Sequence, residues 1–91
     1  MKKTRAIVLN EKDNVATMLN DVRRGDDVEV VFQGRSWVIK ALSDIPFGHK
    51  IALKDIHEGE YVIKYGEIVG VARKEIRRGE HVHVHNLRSA F

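Results

Sequence analysis

The sequence contains no cysteine, and it has no long apolar run. The first absence excludes disulfides and thiolate zinc sites. The second leaves no stretch near the roughly 18 apolar residues of a membrane-spanning helix. After the basic start, the apolar segment Ala6–Leu9 is only four residues long, whereas a secretory signal needs about 7–15. The sequence therefore predicts a cytoplasmic protein without a membrane partner.

Aromatic residues are few, and the charge is nearly balanced. One Trp, two Tyr and three Phe accompany 16 Lys and Arg against 13 Asp and Glu, for a net charge of +3. Most basic pairs, such as Arg23-Arg24 and Arg77-Arg78, lie beside acids, and none is interleaved with aromatics. A nucleic-acid surface usually concentrates its cations and adds stacking aromatics. We therefore expect no nucleic-acid partner, and a small anionic substrate fits the weak positive charge better.

Ninety-one residues predict a single domain spanning 1–91. One stretch has helical periodicity, because Val15, Met18, Leu19 and Val22 follow the i, i+3, i+4, i+7 spacing. Asp13-Asn14 offers an N-cap, and Gly25 a C-terminal stop. These signals predict one N-terminal α-helix.

The remainder of the chain is predicted to be β. Short β-branched and apolar runs are separated by turn residues, and Gln33-Gly34-Arg35 marks a hairpin. The predicted strands cover residues 6–9, 28–32, 36–39, 50–53, 61–64, 68–72 and 81–84. The fold class is therefore mostly β with one helix.

A short motif repeats along the β part. Residues 56–62 match residues 76–82 as apolar-x-x-Gly-acid-x-Val, and residues 22–28 form a fainter copy. Glycine supplies the positive φ of a tight turn before the next strand, so we interpret the motif as structural. His57 lies at a variable position of this motif and is predicted to be an exposed turn residue.

Three histidines alternate with valines at His81-Val82-His83-Val84-His85. In a strand, alternate side chains share one face, so the three imidazoles would point the same way and could bind a metal ion or a substrate. The alternative is a solvated polar strand face opposite buried Val82 and Val84. His81 occupies the position that Tyr61 fills in the other copy of the turn motif, so we expect His81 to be structural or peripheral.

Two further tripeptides carry groups suited to acid–base chemistry or anion binding. Gly48-His49-Lys50 presents an imidazole and an ammonium group at a predicted strand entrance. Lys64-Tyr65-Gly66 offers a cation for a carboxylate and a hydroxyl for a developing charge. The ordinary alternative is a surface lysine beside a half-buried tyrosine.

Taken in order, these segments resemble a known family. The segments are Pro46–Ile56, Gly59–Gly66, Gly70-x-Ala72 and Ile76–Asn86, and they are similar to the SAF domain of altronate and galactarate dehydratases over about residues 13–87. The same module occurs as the small subunit of two-chain enzymes of the sulfolactate sulfo-lyase type. A Pro and a Thr that members commonly carry after Lys-Tyr-Gly are replaced in Ile68–Arg73. The resemblance implies a β-clip fold.

The resemblance also implies an activity. It points to the small subunit of a hydro-lyase that removes water from an aldonate or aldarate to give a 2-keto-3-deoxy acid. The alternatives are a sulfolactate sulfo-lyase small subunit and a non-catalytic module that binds carbohydrate acids or proteins. The family's long catalytic region is absent from these 91 residues, which implies a separate large subunit in a hetero-oligomer; a homodimer is the other expectation.

The resemblance further implies site residues. His49, His83 and His85 are predicted as metal ligands or acid–base groups, with Tyr65 as a further catalytic group. Lys50, Lys64 and Asn86 are predicted to bind substrate. The expected cofactor is a divalent metal ion, Fe2+, Mn2+ or Mg2+, acting as a Lewis acid.

Overall fold

A computed structural model describes residues 4–90, and these residues form two antiparallel-rich β-sheets. The prediction of a mostly β chain is confirmed; the β-clip arrangement stays a prediction. The strands are β1 Arg5–Ile7, β2 Val15–Met18, β3 Asp27–Phe32, β4 Arg35–Lys40, β5 Lys50–Ala52, β6 Tyr61–Lys64, β7 Glu67–Ala72, β8 His81–Val82 and β9 Leu87–Arg88.

The larger sheet has the strand order β4-β3-β1-β2-β5-β8, and the smaller has the order β6-β7-β9. All pairs are antiparallel except β1 with β3. Alternation places Val28, Val30 and Phe32 of β3 in the core, as expected for a strand with one buried face. Both two-residue hairpin turns, Gln33-Gly34 and Tyr65-Gly66, have positive φ at both positions, the geometry that matches strand twist.

The predicted N-terminal helix is wrong, and residues 4–90 contain no helix. Its core residues form β2 instead, between β1 and β5, where Val15, Ala16 and Met18 are all buried. The helical spacing was a coincidence, because burial on both faces of a central strand leaves no alternating polar positions. Since no helix occurs in this part of the chain, none there could cross a membrane.

The two residues predicted to cap that helix instead connect β2 to the smaller sheet. Asp13 accepts a hydrogen bond from the Gly66 N–H at 2.8 Å. The side chain of Asn14 is buried, donates to the Tyr61 carbonyl and accepts from the Ile63 N–H. The sequence correctly marked both side chains as hydrogen-bonding groups, but their partners belong to β6 and its turn and not to a helix N-terminus.

The glycine turn motif occurs four times, and the copies are paired. Val22 forms an isolated antiparallel bridge with Ile45, and Ile56 forms one with Ile76. The fourth copy, residues 45–51, is not among the copies that the sequence pattern identified. In every copy the glycine has φ between 83° and 93°, and its N–H donates to a backbone carbonyl; the acceptors lie in Ala41, Met18, Ala72 and Ala52.

The turn glycines differ in the space around them, which allows a matched test. Gly25 and Gly79 share a φ of 93°, but a Cβ atom at Gly25 would meet nothing, whereas one at Gly79 would collide with the Lys40 carbonyl oxygen. Gly25→Ala is expected to lower the free energy of unfolding by about 1–2 kcal/mol, because alanine is strained at this positive φ. Gly79→Ala is expected to cost on the order of 3–4 kcal/mol. Urea unfolding of both variants measures the difference, and equal losses would contradict the collision.

An exposed ion pair between two paired turns predicts a pH dependence. The Nδ1 atom of His57 lies 2.7 Å from a carboxylate oxygen of Glu75. This hydrogen bond, followed by the charges of Glu75, Glu60 and Asp55, raises the pKa of His57 above 6.5. A raised pKa gives stability that is complete below 6.5 and is lost as pH rises through the folded-state value.

We therefore expect His57→Gln to lower the urea midpoint slightly at pH 6 and to leave it unchanged at pH 9. The effect is small, because both side chains are exposed. Glu75→Gln should reproduce the same pH pattern, and a deficit that persists at pH 9 would show that the pair does not carry the effect.

Candidate functional site

The histidine run does not form the extended strand that its alternation predicts. Strand β8 ends at Val82, and residues 83–86 form a turn that leads into β9. Val84 is consequently 69% exposed instead of buried beside Val82. The imidazoles are brought together by this turn and by the neighbouring strand β5, not by one strand face.

Three imidazoles from two chain segments converge. His81 and His83 flank Val82, and His49 reaches them from the residue before β5, which pairs with β8. Nδ1 of His49 lies 2.9 Å from Nε2 of His81. The ring centroids of His49 and His83 are 4.4 Å apart, and the rings of His81 and His83 stack within 9° at 5.5 Å. One nitrogen from each of the three residues falls within 4.8 Å of the others.

The predicted set His49, His83 and His85 is only partly brought together. His85 is exposed and contacts the cluster through His81, at 5.2 Å between ring centroids, but it is outside the three-nitrogen group. His81, which was expected to be structural or peripheral, lies within the three-nitrogen group. His81 does occupy the backbone position that Tyr61 has in the other copy of the turn motif. The pairing of β8 with β5, however, places His81 opposite Ile51 and beside His49. A pattern in the local sequence cannot reveal this contact between two strands.

The position of His49 follows from the fourth turn. In the other three copies an acid after the glycine accepts a hydrogen bond from a backbone N–H three residues earlier; the pairs are Asp26 with Arg23, Glu60 with His57 and Glu80 with Arg77. In the fourth copy Pro46 occupies the donor position and has no N–H. The acid is therefore unnecessary, and His49 takes its place. Because the acid is missing, the pattern apolar-x-x-Gly-acid-x-Val did not identify this fourth copy in the sequence.

Burial and neighbouring positive groups keep two of the rings neutral. Burial lowers the pKa of His81 to about 4, assisted by His85, His49, His83 and Lys50. His81 also lines a shallow surface depression together with Ile45 and Pro46. The pKa of His83 is also lowered, by burial first and then by its charged neighbours. Neutral imidazole is the form that binds metal ions.

Lys50 borders the histidines, and Lys64 lies near Lys50; neither has an acidic partner among the described residues. Burial, and then the charge of Lys64, lowers the pKa of the half-buried Lys50, and Lys50 in turn acts on His81 and His83. Among residues 4–90 no carboxylate forms an ion pair with Lys50 or Lys64. Adjacent ammonium groups without counter-ions suit a bound anion.

The remaining predicted site residues lie in different surroundings. Tyr65 is exposed at the β6–β7 turn, and its ring centroid lies 4.8 Å from Nζ of Lys64. Asn86 is completely buried; its amide donates to the His81 carbonyl and accepts from the His83 N–H. The buried position favours a structural role for Asn86 over direct contact with a substrate.

The three-nitrogen cluster fits a divalent transition metal ion. Nitrogens that share one tetrahedral ion at about 2.0–2.1 Å lie about 3.3 Å from one another. The three nitrogens lie within 4.8 Å of one another, so they would have to move closer together to share one ion. All three donors are imidazoles, which suit Fe, Zn, Cu or Ni, whereas Mg2+ and Mn2+ prefer oxygen ligands.

Comparison with known proteins assigns the family. Residues 4–90 match the model of the altronate/galactarate dehydratase SAF domain, and the chain belongs to this family. It is 40% identical over 83 residues to an altronate dehydratase of Bacillus subtilis and 42% identical over 83 residues to one of Escherichia coli. Each alignment covers 91% of this chain but only 16% of the relative.

A shorter relative also matches. The (2R)-sulfolactate sulfo-lyase subunit alpha of Chromohalobacter salexigens is 45% identical over 60 residues, which cover 66% of this chain and 64% of that subunit. The family therefore includes proteins in which this module makes up most of a subunit as well as proteins in which it is a small part of a longer chain.

The interpretation of the fourth turn predicts a double-mutant coupling. Pro46→Arg together with His49→Glu recreates the acid-capped turn, and we expect a favourable coupling of about 1 kcal/mol. Neither change alone can form that bond: Pro46→Arg restores the N–H donor without the carboxylate acceptor, and His49→Glu restores the carboxylate without the donor. Urea unfolding of the wild type, both single variants and the double variant measures the coupling, and strictly additive effects would contradict the interpretation.

Proposed function

We propose that this chain is the small, substrate-binding component of a sugar-acid dehydratase and acts with a large catalytic subunit. The observation that carries the proposal is the convergence of His49, His81 and His83 beside Lys50. The three imidazoles would bind a metal ion, and the ammonium group of Lys50 beside them would bind the carboxylate of a substrate. The sequence relationship to altronate dehydratases supports the choice of substrate class.

The proposed reaction removes a proton next to a carboxylate and expels hydroxide from the adjacent carbon. It needs a base, a group that stabilises the negative charge that develops on the carboxylate, and an acid for the leaving hydroxide. A divalent ion held by the three imidazoles would supply Lewis-acid stabilisation of that charge. Imidazole donors favour Fe2+ over Mn2+ and Mg2+ among the three expected ions.

The chain's own residues have distinct proposed roles. Lys50 and Lys64 bind the substrate carboxylate, because neither forms an ion pair with a carboxylate of the described residues and Lys50 borders the histidines. His85 is exposed beside His81 and outside the three-nitrogen group, which leaves its ring free for proton transfer. Tyr65, also exposed, provides a hydroxyl near Lys64. The large subunit would supply the remaining acid–base groups.

A second candidate differs in the leaving group. The similarity to a sulfolactate sulfo-lyase subunit alpha, over 64% of its length, favours a chain that works in the same way on a sulfonated acid and releases sulfite. The two candidates share the carboxylate-binding lysines and the metal site, so they are separated by product analysis.

Metal binding tests the site directly. We expect the isolated chain to bind Co2+ or Fe2+, and His49→Ala, His81→Ala and His83→Ala each to weaken binding by at least about tenfold. His85→Ala is the matched control and should change the dissociation constant less than threefold. Anaerobic titration calorimetry measures the constants. Equal losses in all four variants, or none, would contradict the assignment of His81 in place of His85.

Turnover tests the function. The chain is co-expressed with a large subunit of the same family from the same genome, and the complex is offered aldonates, aldarates and sulfolactate with Fe2+. A 2-keto acid without sulfite is expected. Lys50→Gln and Lys64→Gln should raise KM about tenfold or more in complexes that assemble normally. The proposal fails if the assembled wild-type complex, loaded with metal, forms no product from any of these acids.

A further inference from the structure

Asn86 is the most buried polar side chain near the histidines. It has no exposed surface, and among residues 4–90 the only other buried residue with a polar side chain is Asn14. Its amide nitrogen donates to the carbonyl of His81 at 2.8 Å, and its amide oxygen accepts from the N–H of His83 at 2.9 Å. Its own N–H donates to the His83 carbonyl. All of these partners belong to the two residues that flank Val82.

Asn14 makes the same pair of bonds in the other copy of the repeat. It donates to the Tyr61 carbonyl at 2.9 Å and accepts from the Ile63 N–H at 2.7 Å. Tyr61 and Ile63 lie twenty residues before His81 and His83, at equivalent positions of the turn motif. A buried asparagine thus holds residues n and n+2 in both copies, but only one copy carries imidazoles at those positions.

We propose that Asn86 is a positioning residue for the three-histidine site and does not itself contact the substrate. By fixing the backbone on both sides of the buried Val82, it sets the direction from which the His81 and His83 rings leave the chain. The near-parallel stacking of these rings is the geometric consequence. This inference rests on the proposed function, because it assigns a role toward the metal ion that the histidines are proposed to bind.

The two asparagines permit a matched experiment. Asn86→Leu and Asn14→Leu have similar volume changes, and each leaves a buried carbonyl and a buried N–H without partners. Both variants should therefore lose similar stability in urea unfolding. Only Asn86→Leu alters the backbone that carries the proposed metal ligands. If Asn86 has a purely structural role, both variants should bind Co2+ equally well. If it positions the histidines, only Asn86→Leu should bind Co2+ more weakly.

The measurement is Co2+ titration of the folded chain, followed by visible absorption and calorimetry. Asn86→Leu is expected to weaken Co2+ binding about 10–100-fold and to change the intensity of the cobalt bands, whereas Asn14→Leu should leave both within twofold of wild type. Folding is verified by circular dichroism before each titration. If Asn86→Leu does not fold, Asn86→Ala, paired with Asn14→Ala, provides the same comparison with less steric change.

The outcomes separate the two levels of the proposal. If the wild-type chain does not bind Co2+, the metal site itself is wrong. If the wild type binds and the Asn86 variants bind equally well, the positioning role is wrong while the metal site stands. Equal losses in the Asn86 and Asn14 variants would also overturn the positioning role, because they would show a general effect of destabilisation.

Discussion

The pairing of glycine turns is the constraint on which the rest of this structure depends. Each turn has a glycine at positive φ whose N–H donates to a backbone carbonyl, and the turns meet in two bridges, Val22 with Ile45 and Ile56 with Ile76. In three turns the acid after the glycine accepts a hydrogen bond from the N–H three residues earlier. In the fourth turn Pro46 has no N–H to donate, and His49 stands in place of that acid, where its Nδ1 lies 2.9 Å from Nε2 of His81. The loss of one donor thus allows this turn to carry an imidazole in place of a capping acid.

The pKa values in the cluster of His49, His81 and His83 depend on the groups that surround it. Among residues 4–90 neither Lys50 nor Lys64 has a carboxylate partner, and burial together with the mutual repulsion of the positive groups lowers the pKa values of His81, His83 and Lys50. Unpaired positive charge in a half-buried site is unfavourable unless an anion joins it. The lowered pKa values favour the neutral form of His81 and His83, which is the form of imidazole that binds metal ions.

Much of this could be predicted from the sequence, and the failures have physical causes. The β3–β4 hairpin was predicted from Gln33-Gly34-Arg35 and is present. The strands predicted over 61–64 and 68–72 are also present, and they pair with each other as β6 and β7. The helix prediction was wrong because β2 is buried between two neighbouring strands, β1 and β5. The spacing of four apolar residues in the sequence contains no information about these neighbours. His81 was undervalued for the same reason, since its contact with His49 is made across the β5–β8 pairing and has no local signature.

The exposure of the site argues for a second protein component in the proposed function. His49, His81 and His83 are only partly buried, and His85 and Tyr65 are exposed. Expulsion of hydroxide from a carbon next to a charged intermediate is favoured where water is excluded and where fixed dipoles face the developing charge. An open surface of a 91-residue chain does not provide that enclosure. The altronate dehydratases, of which this chain spans 16%, have ample further chain with which to close such a site. In the proposed function, further protein that covers the histidines would provide the enclosure that this open surface lacks.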